Sequence, residues 1–173
     1  FLKDNDASSN YEIYFDFENI IDKIEKYPKF QEPLNRLIDK HIPANTKYII
    51  HLPDRGSLKL SNYIIEHIPK NIILKLIKLD KNLTDNFTNK EKGYVVIVSS
   101  CITTGKKLLQ ISRLMINFDN LNLIYFTGIY RPVNDSFVKN LISDLSKGKN
   151  KSDNRPFISV ESINTSIRKT KTC

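Results

Sequence analysis

The chain has 173 residues, 40% of them hydrophobic and 10% aromatic, enough for one domain with an ordinary core, so disorder is not the default expectation. No apolar run approaches the roughly 20 residues that span a bilayer and no secretory signal is visible, so the reading is cytoplasmic, with no membrane partner. The net charge of +8 suits a phosphate-rich partner, either nucleic acid or a phosphorylated small molecule.

Residues 1–10 read as a frayed entry, and YEIYFDF (11–17) alternates apolar and polar residues as a strand does. ENIIDKIEKY (18–27) carries Ile20, Ile21 and Ile24 at helical spacing and is expected to stop before Pro28. A second helix is predicted over 31–41, with Leu34, Leu37, Ile38 and His41 on one face. NTKYIIHL (45–52) is a short buried strand closed by Pro53-Asp54-Arg55-Gly56, and SLKLSNYIIEHI (57–68) is an amphipathic helix with a serine start. NIILKLIKL (71–79) is a third strand, followed by a polar connection over 80–93 that reads as mobile. YVVIV (94–98) is the most central-looking strand and KKLLQISRLMIN (106–117) its helix. A strand at 122–130, a helix from Asp135 to about Lys147, a polar loop over 147–155 and a last strand at 156–163 complete the chain. No internal repeat is evident. The alternation predicts a single α/β domain with a mostly parallel central sheet, helices on both faces, and ligands beyond the carboxyl ends of the strands.

Lysine is scattered along the chain among many Asn and Ile residues, a pattern that genome composition also produces. A basic run is confined to the tail Arg168-Lys169-Thr170-Lys171, which makes nucleic acid the lesser reading. The cysteines are Cys101 and Cys173. A structural disulfide is not expected between them, and a reducing compartment fits. Cys101 is either a reactive thiol near a helix N-terminus or a small buried residue in a tight loop. His41, His51 and His67 have no familiar ligand spacing, so no structural metal is expected. A chain that opens on Phe1 suggests a piece of a longer protein, with other domains or subunits as partners.

The stretch YVVIVSSCITTGKKLLQISRLM (94–115) holds the sharpest signal. Thr103, Thr104 and Gly105 sit between a buried strand and a helix, where unpaired N–H groups and the helix dipole favour an anion. The threonine hydroxyls add donors, Gly105 removes a Cβ from the approach, and Lys106 and Lys107 add charge. On these residues alone, a phosphate loop and a simple threonine cap are equally good readings.

VVIVSSCITTGKKL resembles the signature of the type I phosphoribosyltransferases: apolar strand, two acidic residues, two mostly apolar residues, Thr-Thr-Gly and a helix. The resemblance implies a Rossmann-like, three-layer fold and a 5′-phosphate site for phosphoribosyl pyrophosphate at Thr103, Thr104, Gly105, Lys106 and Lys107. YIIHLPDRGSLKLSNYI is similar to that family's first strand, pyrophosphate loop and following helix, with Asp54, Arg55, Gly56 and Ser57 in the turn. The connection 80–93 falls where the family carries its catalytic flexible loop, and Lys90 on it is a catalytic candidate. Magnesium would accompany phosphoribosyl pyrophosphate if that is the ligand.

The departure lies at the two acidic positions, which in the family hold the ribose hydroxyls and here are Ser99 and Ser100. A carboxylate accepts charge-assisted bonds worth roughly 1.5–3 kcal/mol each, and a serine hydroxyl does not. Weak discrimination between ribose and 2-deoxyribose is therefore expected, with Ser99 and Ser100 as the remaining catalytic candidates. Tyr130, closing the next strand, is either a base-stacking side chain or part of the core. The resemblance implies three functions: a ligand-responsive sensor, regulator or effector module like those of bacterial conflict and antiphage systems; a divergent transferase; or a partner-binding scaffold.

Overall fold

The computed structural model describes residues 16–69, 73–132, 135–146 and 155–163. The predicted strand over 11–17 lies outside them except for its last two residues, and the basic tail and Cys173 lie outside altogether. Phe17 belongs to a helix, α1 (Phe17–Asp22), capped by the Asp16 carboxylate, which accepts from Asn19 N at 3.1 Å. A 3-10 turn (Ile24–Lys26) leads to α2 (Pro28–His41). The helical segment stops before Pro28 as expected, and Pro28 is itself the first residue of the next helix, where its missing N–H costs nothing.

Strand β1 (Thr46–His51) is followed by α3 (Arg55–His67) and β2 (Lys75–Lys78). Then come β3 (Gly93–Ile102), α4 (Lys106–Leu114), β4 (Leu121–Tyr130), α5 (Asp135–Ser146) and β5 (Phe157–Ser162). Among the described residues the sheet has five strands in the order β2-β1-β3-β4-β5, and every pairing is parallel. β3 lies at its middle, as its unbroken β-branched run predicts for a strand buried on both faces.

Each face of the sheet carries its own core. Ile49, Val96, Val98, Ile124 and Phe126 pack under α1, α2 and α3 through Phe17, Ile21, Leu34, Ile38, Leu60 and Ile64. Ile50, Val95, Ile97, Leu123 and Tyr125 pack under α4 and α5 through Leu108, Ile111, Leu141 and Leu145. The chain thus folds as three layers, α/β/α. The strand order reverses between β1 and β3, so α3 and α4 leave neighbouring strands toward opposite faces. Their two N-termini flank a crevice at the carboxyl edge of the sheet, where such folds take ligands.

The connection over 80–93 differs from its expected character. It contains a 3-10 turn (Leu83–Asn86) and buries Leu83 and Phe87 in the core. Phe87 meets Tyr48 and Phe118 edge-on at 4.9 and 5.4 Å, and the Tyr48 hydroxyl donates to Glu91 Oε2 at 2.7 Å. The polar composition concealed two apolar anchors spaced four residues apart.

Candidate functional site

A cleft of about 740 Å³ opens at the crevice, within the range of nucleotide-sized sites. One wall is the β3–α4 junction, Cys101 to Leu108. The other is built from Asp16, Phe17, Glu18, Asp54, Arg55 and Gly56, with Ser100 between the two.

The junction is made as an anion site requires. Gly105 is the N-cap of α4 and sits at φ 62°, ψ 9°, a left-handed conformation that glycine adopts without penalty. No side chain caps this helix, so the threonine-cap alternative does not hold. The first helical bond runs from Leu109 N to Gly105 O at 3.0 Å, which leaves the N–H groups of Lys106, Lys107 and Leu108 outside the helical ladder. Thr103, Thr104, Lys106 and Lys107 all line the cleft around them. A Cβ at Gly105 would also lie 2.5 Å from Leu141 Cδ1, so the residue serves the packing of α5 as well as the loop.

The opposite wall is built differently from the expected diphosphate turn. Asp54 is the N-cap of α3, and Arg55, Gly56 and Ser57 are that helix's first turn rather than a loop before it. The Asp54 carboxylate accepts from Ser57 N at 2.8 Å and Ser57 Oγ at 2.7 Å, and it takes the Ser100 hydroxyl proton at 2.7 Å. Ser57 Oγ in turn accepts from Ser100 N at 2.8 Å. Gly56 lets α3 sit this close to β3: a Cβ there would come within 2.9 Å of Ser100 Cβ.

The two serines part company. Ser100, 7% exposed, lines the cleft. Ser99 is fully buried and shares a hydrogen bond of 2.8 Å with Thr127 Oγ1 of β4, so it is not a ribose contact. Strand alternation separates them, since successive side chains point to opposite faces.

Two further candidates are corrected. Tyr130 is 2% exposed, its ring packs edge-on against Phe157 at 5.2 Å, and its hydroxyl is enclosed, so it offers no face to a base. Lys90 precedes β3 by three residues and lies toward the opposite edge of the sheet, a strand length of roughly 30 Å away at 3.3 Å per residue. Cys101 lines the cleft, but burial pushes its thiol pKa up, with nearby Arg131 opposing, which favours the inert thiol.

The α1 wall was not anticipated. Phe17 lies over β4 so closely that a Cβ on Gly128 would meet its ring at 2.3 Å. Glu18 pairs with Lys59 of α3 at 3.4 Å, and Lys59 also bonds Asp22, which ties α1 to α3. The signals were present: Asp16 before an apolar residue with Glu18 in the first turn reads as a helix start, and a lone glycine in a strand marks a close approach. Among the described residues no three of His, Cys, Asp and Glu gather to hold a metal ion, and no helix is long and apolar enough to cross a membrane.

An all-parallel sheet in this order, with the β3–α4 junction at its switch point, is the fold of the type I phosphoribosyltransferases. Three solved structures, two of them phosphoribosyltransferases by name, are similar to it. Adenine phosphoribosyl transferase from Trypanosoma brucei, in complex with AMP, pyrophosphate and ribose-5-phosphate, aligns with TM-score 0.57 at 15% identity, over 84% of this chain and 68% of that one. The AQ2163 protein from Aquifex aeolicus aligns with TM-score 0.55 at 12% identity, over 88% and 86%. Orotate phosphoribosyltransferase from Aeropyrum pernix gives 0.51 at 14% identity, over 87% and 78%. No protein-family model and no curated protein matches the sequence.

Proposed function

We propose that this chain binds a phosphorylated ribose ligand, with the phosphate on Thr103–Lys107, and acts as a ligand-responsive module rather than as an ordinary transferase. The uncapped first turn of α4, closed by left-handed Gly105 and flanked by Lys106 and Lys107, carries the reading. Similarity of fold to an enzyme whose structure holds AMP, pyrophosphate and ribose-5-phosphate supports it. A module of this kind suits a larger bacterial conflict or antiphage system, a setting that rests on the sequence resemblance alone.

The sensor reading is favoured over the transferase by two observations. Positions 99 and 100 supply no carboxylate, and the connection over 80–93 is tied to the core by Leu83, Phe87 and the Tyr48–Glu91 bond. The described residues offer no cluster for a resident ion, so magnesium would enter with a phosphate-rich ligand.

Calorimetric titration with ribose 5-phosphate tests the site. Binding is expected, and Lys106→Glu should weaken it at least about tenfold by placing a like charge at the helix end. Gly105→Val is unsuitable, because the new side chain would strain a positive φ and strike Leu141. Absence of heat with the wild type removes the reading. Pyrophosphate release from phosphoribosyl pyrophosphate in the presence of mixed nucleobases would establish the transferase instead.

A further inference from the structure

We propose that Asp54, Ser57 and Ser100 form a subsite that accepts hydroxyl donors and rejects a second anionic group, so that the cleft prefers a ribose monophosphate to a ribose bearing a diphosphate. This rests on the reading that the α4 end of the cleft takes the phosphate, and it fixes what the other end takes.

The hydrogen bonds of the network have one direction. Ser100 Oγ has a single proton, and it is given to Asp54 Oδ1 at 2.7 Å. Ser57 Oγ gives its proton to Asp54 Oδ2 at 2.7 Å and uses a lone pair on Ser100 N at 2.8 Å. Ser57 N also gives its proton to Asp54 Oδ1, at 2.8 Å. Toward the cleft, Ser100 therefore presents lone pairs only, backed directly by a carboxylate. An acceptor so backed is stronger than a free serine hydroxyl, because the negative charge stands one bond behind it.

A sugar hydroxyl arriving there donates to Ser100. A diphosphate carries acceptors only, finds no proton in the Asp54–Ser57–Ser100 network, and meets the Asp54 charge, against which stand the Arg55 side chain and the N–H groups of Arg55 and Gly56 at the start of α3. Asp16 lines the same wall, Glu18 there is paired with Lys59, and Arg55 is a cation beside them, while Lys106 and Lys107 stand on the other. The cleft is thus polarised, cationic at α4 and acceptor-rich at α3. Asp54, from the turn after β1, thus sets a carboxylate behind Ser100 rather than at position 100 itself.

Calorimetry in magnesium-containing buffer tests this on the wild type, Asp54→Asn and Ser100→Ala. The ligands are ribose 5-phosphate, its 2-deoxy and 3-deoxy analogues, and phosphoribosyl pyrophosphate. The wild type should bind ribose 5-phosphate at least as tightly as phosphoribosyl pyrophosphate, and should lose about tenfold in affinity for at least one deoxy analogue. Ser100→Ala should bring ribose and deoxyribose to within about threefold while the deoxy analogues bind as before. Asp54→Asn keeps a helix-capping acceptor and should raise affinity for phosphoribosyl pyrophosphate about tenfold relative to ribose 5-phosphate. If all four ligands bind the wild type equally, or phosphoribosyl pyrophosphate binds more than tenfold tighter, the subsite is refuted while the phosphate site stands. If none binds, the phosphate reading falls and this one with it.

Discussion

Ser99 places a hydroxyl where water does not reach, and Thr127 is the group that satisfies it. Removing one member strands the other, so Ser99→Ala and Thr127→Val should each cost about 1–2 kcal/mol, while the double substitution should cost less than their sum. Ser99→Asp, which restores one acidic residue of the family signature, should instead destabilise the fold by about 3 kcal/mol or more, since it buries a carboxylate between β-strands. Urea denaturation of the four variants decides it; a stable Ser99→Asp protein would show that the strand end opens to solvent. Adjacent serines are alike in sequence. Their different fates come from strand alternation and from which neighbour stands opposite, Thr127 for one and Asp54 for the other.

At the scale of elements, the connection over 80–93 carries the largest departure from expectation. Its polarity was legible, but two apolar residues four apart, Leu83 and Phe87, are enough to seat a 3-10 turn against the core. Burial, and then the bond to Glu91, push the Tyr48 pKa up to about 12. The folded protein therefore holds this proton more tightly than the unfolded chain, whose tyrosines titrate near 10. The resulting stability is fully present below pH 10 and is lost between about pH 10 and 12, on the order of 2 kcal/mol. Tyr48→Phe should be less stable than the wild type at pH 8, by about 1 kcal/mol for the lost hydrogen bond, and that deficit should shrink or reverse by pH 11.5. Urea midpoints at both pH values measure it, and a constant deficit would mean that Tyr48 is not the titrating group. The helices were read more accurately than this connection, because periodic apolar faces survive in sequence while a two-residue anchor does not. Helix starts moved by two or three residues where caps decide them: Asp54 and Pro28 begin α3 and α2 ahead of the apolar pattern.

For the whole molecule, the two cores on opposite faces of one sheet hold the two walls of the cleft, since α3 belongs to one core and α4 to the other. A ligand bridging their N-termini links the two layers and should stabilise the folded state by mass action. Ribose 5-phosphate at about 100 times its dissociation constant should contribute about 2.7 kcal/mol, a rise in Tm of roughly 5–10 °C for a domain of this size. A thermal scan with no shift under those conditions would contradict binding to the folded state. The amino-acid sequence by itself determined the alternation of strands and helices, the central place of β3 and the strand–glycine–helix junction at Gly105, because each is written in local periodicity and in the residues of one turn. The tertiary structure alone decided which residues face the cleft. The Asp54 carboxylate meets Ser100 across 46 positions of sequence, and Phe17 meets Gly128 across 111. Such pairings depend on strand order and helix seating, which no local pattern encodes.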